Sequence, residues 1–273
     1  MVEEVKPKVA ILMSVYHKER PEFLKEAMES IFKQTYPHVD FHLFKDGPLG
    51  DDLNQVLDSF SKEHSNLILH EHPENRCLAV CLNDLISKIK LDYSLFARMD
   101  SDDVSYPDRL EKQVAFMQQN PDVDVCGGYI VDMDERGKEL KQVKYPLIHE
   151  QIKSFFIKRN PIAHVTVMYR NTFFDKAGLY PPIRLEDGLY WMKGFMSGCR
   201  FQNIPENLVA VRMTDDFLQR RSGFKRVWGE FKVRLTINKN LKFGVEAFMF
   251  ALATFCVQLL PISIKQVLYN KLR

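Results

Sequence analysis

The densest chemistry in this 273-residue chain lies in Arg98-Met99-Asp100-Ser101-Asp102-Asp103, where three carboxylates fall within four residues. Crowding of this kind raises carboxyl pKa values unless a cation intervenes, and hard divalent ions favour all-oxygen ligation. Mg2+ or Mn2+ held here would bridge the phosphates of a substrate. The same residues could instead form a solvated acidic turn ahead of a helix, with Asp103 and Asp108 near its start. A second acid pair, Glu186-Asp187, follows the Pro181-Pro182 turn. It offers a general base, or else ordinary acid placement at a helix N-terminus.

What must position these groups is an alternation of short apolar runs with amphipathic stretches, a pattern that predicts a mostly parallel α/β sheet covered by helices. The run at 9–16 (VAILMSVY) is almost wholly apolar, as in a central strand buried on both faces. Pro21 opens a helix with Phe23, Leu24, Ala27, Met28 and Ile31 at helical spacing. A strand at 41–45 stops at Asp46-Gly47-Pro48, and helix 51–62, strand 67–70 and helix 77–89 follow. The strand at 93–99 runs into the acid cluster. Beyond a helix at 107–119, strands are expected at 123–132, 165–170 and 208–212, separated by irregular loops. Ligands of open α/β sheets sit beyond the carboxyl ends of the strands. Tyr16, Asp46, residues 72–76 and residues 100–103 should therefore border one crevice.

Composition narrows the classes further. With 45% hydrophobic and 27% charged residues the chain can bury a real core, which excludes disordered and collagen-like classes. The formal charge of +2 hides a split. Residues 219–273 hold 11 Lys/Arg against 2 Asp/Glu, leaving 27 against 34 for residues 1–218, so the body is −7 and the tail +9. Five cysteines without a CxxC pair argue against a disulfide framework or a zinc ribbon and fit a reducing compartment. Glu3 and Glu4 precede the first apolar run, which is not the pattern of a secretory signal, so a cytoplasmic location is expected. Neither GxGxxG nor GxxxxGK[ST] occurs at the first strand, which sets aside dinucleotide oxidoreductases and P-loop NTPases. A sugar-phosphate nucleotidyltransferase would carry a glycine-rich basic loop there, and SVYHKERPE has no glycine.

The segments SVYHKE (14–19), KDG (45–47), ENRCLAVCLN (74–83), RMDSDDVSYPDRLEKQ (98–113) and LED (185–187) occur in an order and at spacings that resemble family 2 glycosyltransferases. The resemblance covers about residues 8–215, and its most specific part is the acid motif followed by PDRLEKQ. RMTDDFLQRRSG and the ending LPISIKQVLYNKLR are similar to bacterial enzymes that build exopolysaccharide, capsule or O-antigen repeat units. The implied fold is the GT-A type, a nucleotide-binding Rossmann-like mixed sheet, over residues 1–218, with a basic amphipathic helical region over 219–273. The implied activity is inverting, metal-dependent transfer of one sugar from a UDP-sugar to a glycan acceptor carried on a polyprenyl diphosphate.

The resemblance also distributes roles. Ser14, Tyr16, Glu19, Asp46 and Arg76 would hold the nucleotide, Tyr16 by stacking and Asp46 by accepting from a uracil imide N–H. Without that resemblance Tyr16 reads as an aromatic closing the core edge, and Asp46 as a turn residue. Asp100 would meet sugar or ribose, and Asp102, with Asp103, would ligate Mg2+ or Mn2+. Asp187 would be the catalytic base, with Glu186 binding acceptor. Arg212 and Arg221 would clasp the diphosphate with forked donors, or stay solvated at the surface. The QxxRW motif of processive relatives is absent from Gln219-Arg220-Arg221-Ser222. His164 is a weaker candidate, since a lone histidine beside an apolar strand commonly serves structure.

The tail's apolar stretch at 243–260 is interrupted by Gly244, Glu246 and Gln258 and falls short of the ~20 apolar residues of a membrane span. Its flanking lysines and arginines instead suit a helix lying on anionic lipid at the cytoplasmic face of the inner membrane. The alternative is a hairpin packed on the body or on a second subunit. No nucleic-acid recognition motif accompanies the basic charge. A reading from another class is a non-catalytic nucleotide-sugar-binding or scaffold subunit of a polysaccharide assembly complex.

Overall fold

The computed structural model describes residues 6–183, 185–214 and 223–261. Strand β1 (Val9–Val15) shows why its sequence is apolar throughout. Val9, Ile11, Met13 and Val15 point into one core layer, while Ala10 and Leu12 point into the other, following the two-residue period of a strand. Helices α1 (Pro21–Phe32), α2 (Asp51–Glu63) and α4 (Arg109–Gln119) cover the first layer through Leu24, Leu53 and Leu110. Helices α3 (Leu78–Ile89), α6 (Thr172–Ala177) and α7 (Glu186–Met196) cover the second through Leu82, Phe174 and Trp191. Burying each such side chain contributes about 1.5–3 kcal/mol, so both faces of the sheet are firmly held.

The remaining strands are β2 (Val39–Asp46), β3 (Leu67–His72), β4 (Leu95–Arg98), β5 (Val104–Ser105), β6 (Val125–Met133), β7 (Glu139–Val143), β8 (Met168–Arg170) and β9 (Phe201–Arg212). Together with β1 they form one mixed sheet in the order β3-β2-β1-β4-β8-β6-β9-β5, with β7 paired to β6. β3, β2, β1 and β4 are mutually parallel, so their carboxyl ends share one edge. β8 is antiparallel to both β4 and β6, and β9 is parallel to β6. Two reversals therefore return β6 and β9 to the direction of β4. Arg212, at the end of β9, consequently arrives at the same edge as the acid motif.

The α/β fold expected from the sequence is the one found. Three details differ. The apolar run at 165–170 divides into a 3-10 turn (His164–Thr166) and the short β8, because Val167 closes the turn before pairing resumes. β9 begins at Phe201 rather than at 208, since register shifts against Gly128 and Tyr129 let the exposed Pro205 and Glu206 bulge out without ending the strand. The polar β7 and the short α5 (His149–Phe155) and α6 carry too little periodicity to be read. The tail forms α8 (Phe224–Asn240) and α9 (Val245–Leu259), and α8 packs directly on α7.

Candidate active site

At the carboxyl edge of the sheet, β1 delivers the half-buried Ser14 and then Tyr16, which is 37% exposed. At the end of β2, the Asp46 carboxylate accepts from the Arg76 amide at 2.6 Å, Asn75 Nδ2 at 2.9 Å and the Cys77 amide at 3.1 Å. Asp46 is buried. Its carboxylate is thus engaged in shaping the 75–77 loop, rather than standing open to an imide as the sequence reading expects. Arg76 contributes its amide to that knot while its side chain is exposed. Gly47 is required here for two reasons. Its φ is +86°, and a Cβ would lie 2.7 Å from the Asn75 nitrogen. Cys77 completes the loop with a φ of +78°, a strained value for a non-glycine residue.

The acid motif is held more elaborately. The Met99 amide donates to Leu12 O at 3.0 Å, extending the β1–β4 ladder one step. Asp100 is ion-paired with Arg98, whose side chain is only 3% exposed. Ser101 Oγ donates to the Glu19 carboxylate, so Glu19 braces the loop where a nucleotide contact was expected. Asp103 accepts from the Arg212 amide at 2.8 Å. Burial, followed by the charges of Asp102 and Asp100, pushes the Asp103 carboxyl well above the usual carboxylate range.

Arg212 is the main correction. Its Nε donates to Asp102 O at 2.9 Å and its Nη1 to Glu135 O at 3.0 Å, Nη2 is ion-paired with Glu26, and the guanidinium lies 4.2 Å from the Phe23 ring centroid. With no side-chain exposure and all three nitrogens engaged, it is a strut of the acid loop and not a clasp for diphosphate. Arg221 lies outside the described residues.

Sequence reasoning missed a second strut. Arg109 sits buried beneath the loop, with Nη2 donating to Arg98 O at 2.7 Å, Nη1 to Met99 Sδ at 3.3 Å and Nε to Gln113 Oε1 at 2.9 Å. Burial lowers its guanidinium to about 9. Gln113 in turn donates to Thr166 O at 2.9 Å. The available signal was Arg109 and Gln113 spaced four apart on the same helix face as Leu110, Val114 and Met117.

These donors suit a divalent ion shared with a ligand. Among the described residues no three His, Cys, Asp or Glu side chains converge into a closed metal cage. Mg2+ is ordinarily held by one or two carboxylates together with substrate phosphates. Asp102 and Asp103, adjacent and all-oxygen, match that partial donor set.

The second acid pair opens α7. Leu185, immediately before it, has a φ of +76°, again strained for a side-chain-bearing residue. Asp187 accepts from Asn160 Nδ2 at 2.6 Å and from the Gly188 amide at 2.7 Å. Glu186 is half-buried. Burial raises its carboxyl above the usual range, and the charges of Asp187 and Asp100 add to this while Arg98 opposes it. Glu186 thus interacts electrostatically with the Arg98–Asp100 pair. His164 Nε2 meets Tyr180 Oη at 2.9 Å, and Tyr180 Oη meets Tyr169 Oη at 2.7 Å. Burial holds the His164 imidazole well below its ordinary value. It belongs to the packing beneath the site.

Comparison with known proteins agrees with this geometry. The family described as Glycosyl transferase family 2 matches residues 10–177. An uncharacterized glycosyltransferase of Haemophilus influenzae is 33% identical, over 96% of this chain and 98% of its own. The amylovoran biosynthesis glycosyltransferase AmsE of Erwinia amylovora is 29% identical over 96% and 98%. The UDP-Gal:alpha-D-GlcNAc-diphosphoundecaprenol beta-1,3-galactosyltransferase of Escherichia coli is 28% identical over 97% and 96%. Among solved structures, S. aureus TarS 1-349 in complex with UDP-GlcNAc superposes with a TM-score of 0.62 at 16% identity, covering 94% of this chain and 82% of that one. The mannosyltransferase PcManGT from Pyrobaculum calidifontis, in complex with GDP-Man and Mn2+, gives 0.57 at 15% identity, over 98% and 80%. Both are likenesses of fold.

Proposed function

Because the chain belongs to glycosyl transferase family 2, with relatives in bacterial polysaccharide biosynthesis, we propose that it moves one sugar from a UDP-sugar to a lipid-linked glycan, with inversion. The observation that carries this reading is that two carboxylates are held by dedicated partners, Asp100 by Arg98 at the end of β4 and Asp187 by Asn160 at the start of α7, where Glu186 feels the charges of Asp100 and Arg98. One cluster suits the departing diphosphate and the other the incoming hydroxyl. The UDP form of the donor is supported by the UDP-Gal named for the E. coli relative.

In this scheme Asp187 takes the proton of an acceptor hydroxyl as its oxygen bonds to the anomeric carbon from the face opposite the diphosphate. The bond from that carbon to the phosphate oxygen breaks, and its electron pair leaves with UDP. Asn160 fixes the bearing of Asp187 through the 2.6 Å hydrogen bond. Ser14, Tyr16 and the loop that Asp46 holds, with Arg76 on it, border the nucleotide. Arg98 orients Asp100 toward sugar or ribose, and Arg221 is assigned to the diphosphate. Asp102 with Asp103 would hold Mg2+ or Mn2+, which when bound stabilises negative charge developing on the leaving diphosphate.

The tail completes the assignment, with residues 1–218 as the catalytic body and 219–273 as the part facing lipid. No helix among the described residues is long and apolar enough to cross a membrane. Phe224, Trp228, Val245, Phe248 and Met249 are nevertheless exposed on a segment carrying +9. That combination suits a bilayer surface rich in anionic lipid, which is where a polyprenyl-linked acceptor would be met. The test incubates purified protein with Mn2+, a panel of UDP- and GDP-sugars and a polyprenyl-diphosphate-linked N-acetylhexosamine, measuring nucleoside diphosphate release. UDP release that requires acceptor is expected. Tight UDP-sugar binding without transfer to any acceptor would favour the scaffold alternative.

A further inference from the structure

Residues 155–160 form a seam between the acid pair of α7 and the two tail helices. At one end Asn160 Nδ2 donates to Asp187 at 2.6 Å. In the middle Arg234 of α8 donates to Phe156 O at 3.1 Å. One turn further along α8, the buried Ile237 seats the start of α7, its Cδ1 being 3.3 Å from where a Cβ on Gly188 would lie. At the other end Lys158 Nζ sits 5.5 Å from the ring centroid of Phe250 on α9. Arg159, between Lys158 and Asn160, rests its guanidinium 5.1 Å from the Phe155 ring centroid. Lys158 is exposed and Arg159 half-buried, and among the described residues the side-chain contacts of both are with aromatic rings and not with carboxylates. A guanidinium stacked on a ring keeps its forked donors for an anion, and a lysine lying along apolar surface keeps its ammonium in water. Past Lys158, Phe250, Ala253 and Val257 form an exposed apolar stripe along α9 at helical spacing.

We propose that this seam is the acceptor's subsite, with Lys158 and Arg159 taking the diphosphate of a lipid-linked sugar and the α9 stripe taking the start of its hydrocarbon chain. The proposal deepens the transferase assignment and rests on it. Acid, cations and apolar stripe stand in the order of the ligand's own groups, which run from the sugar hydroxyl through the diphosphate to the lipid. Lys158 and Arg159 are the two residues before Asn160, so their backbones lie within about 8 Å of it, a span that one sugar ring bridges. A diphosphate joined to sugar on one side and lipid on the other carries two negative charges, one for each cation. A merely solvated surface pair would make no distinction between charged and neutral acceptors.

The test uses full-length protein in nonionic detergent with Mn2+, the nucleotide sugar that gives most UDP release, and two acceptors. One is an N-acetylhexosamine on an alkyl diphosphate, the other the same sugar as a neutral alkyl glycoside. Wild type should favour the diphosphate through a lower KM, and Lys158→Gln with Arg159→Gln should shrink that advantage by about tenfold, as loss of two exposed charge pairs would. Mn2+-dependent UDP binding reports folding; should the double variant not fold, the exposed Lys158→Gln alone decides, with about a threefold loss expected. An advantage unmoved in the folded variants overturns the proposal, as does a wild type that treats the two acceptors alike. Sedimentation with phosphatidylglycerol vesicles separates the two sources of phosphate. If the variants lose vesicle binding while the preference in detergent stands, the cations serve the bilayer and the proposal falls. If the wild type releases no UDP with any nucleotide sugar, binding of a fluorescent form of the alkyl-diphosphate sugar is measured instead. A tenfold weakening in the double variant then keeps the subsite while the transferase assignment fails, and equal binding removes both.

Discussion

The donor and acceptor halves of the crevice are built on different principles. Around the acid motif, Arg212, Arg109 and Glu19 each bond to the loop from a separate stretch of sequence, Arg98 within it pairs with Asp100, and the carboxylates lie in a web of internal partners. The acceptor half rests on one helix start, with Asp187 held by Asn160 and its own neighbouring amide. In the proposed function, a half that binds the same diphosphate in every cycle gains from rigid preorganisation, because its donors need no rearrangement as charge develops. In the same scheme, a half supported by a single helix turn can be retuned for new acceptors by few substitutions.

The largest expected effect separates the two halves. Asp187→Asn should lower transfer by at least about a hundredfold while leaving Mn2+-dependent UDP binding within twofold of the wild type, read by calorimetry and UDP release. Equal loss of both would break the division. Asp102→Ala should do the reverse, weakening metal-dependent UDP binding by about tenfold or more, and removal of divalent ions by EDTA should mimic it in the wild type. Full activity after either treatment would remove the ion from the scheme.

Arg212→Met tests the rigid web. It breaks charge-assisted bonds and should cost about 2 kcal/mol of unfolding free energy along with donor affinity; a loss of stability without any loss of UDP binding would show the strut to be remote from the donor. Glu186→Gln probes the softer half. The native Glu186 carboxyl holds its proton to higher pH than the unfolded one, so as pH rises through this window the native state binds more protons and stability falls. Removing the ionisable group should therefore raise the melting temperature modestly at pH 7 and flatten that decline. The smallest effect belongs to the tail. Phe248→Ser with Met249→Ser should weaken sedimentation with phosphatidylglycerol vesicles by about tenfold and leave UDP binding intact. Simple truncation is a poorer experiment, since it would also strip Ile237 from the core.

What the sequence reveals of this molecule follows from distance along the chain. β1, α1, β2 and α3 are legible because each is a local periodic pattern, and the strand-end rule then collects Tyr16, Asp46 and the acid motif at one edge. Arg212 is misread because its ionic partner Glu26 is 186 residues away. Its immediate neighbours, Val211 and Met213, say nothing of the carboxylate and carbonyls it meets. Glu19 is likewise assigned to the nucleotide because nothing local announces Ser101. The tail's apolar and basic pattern is visible, but periodicity cannot show that Ile237 faces Gly188 while Phe248 faces outward.

Cys77 and Leu185 both precede a helix that borders the crevice, and both keep a left-handed backbone that glycine would adopt freely. Glycine at either position would relieve about 1–2 kcal/mol of local strain yet enlarge the unfolded ensemble, so thermal endurance would change little. Aim would change more, because the bearing of each helix is fixed by a joint that resists swivelling. Stiffness at these two joints gives the enzyme its alignment, and an attempt to soften them would show up first as slower, less selective turnover in a protein that still melts at the same temperature.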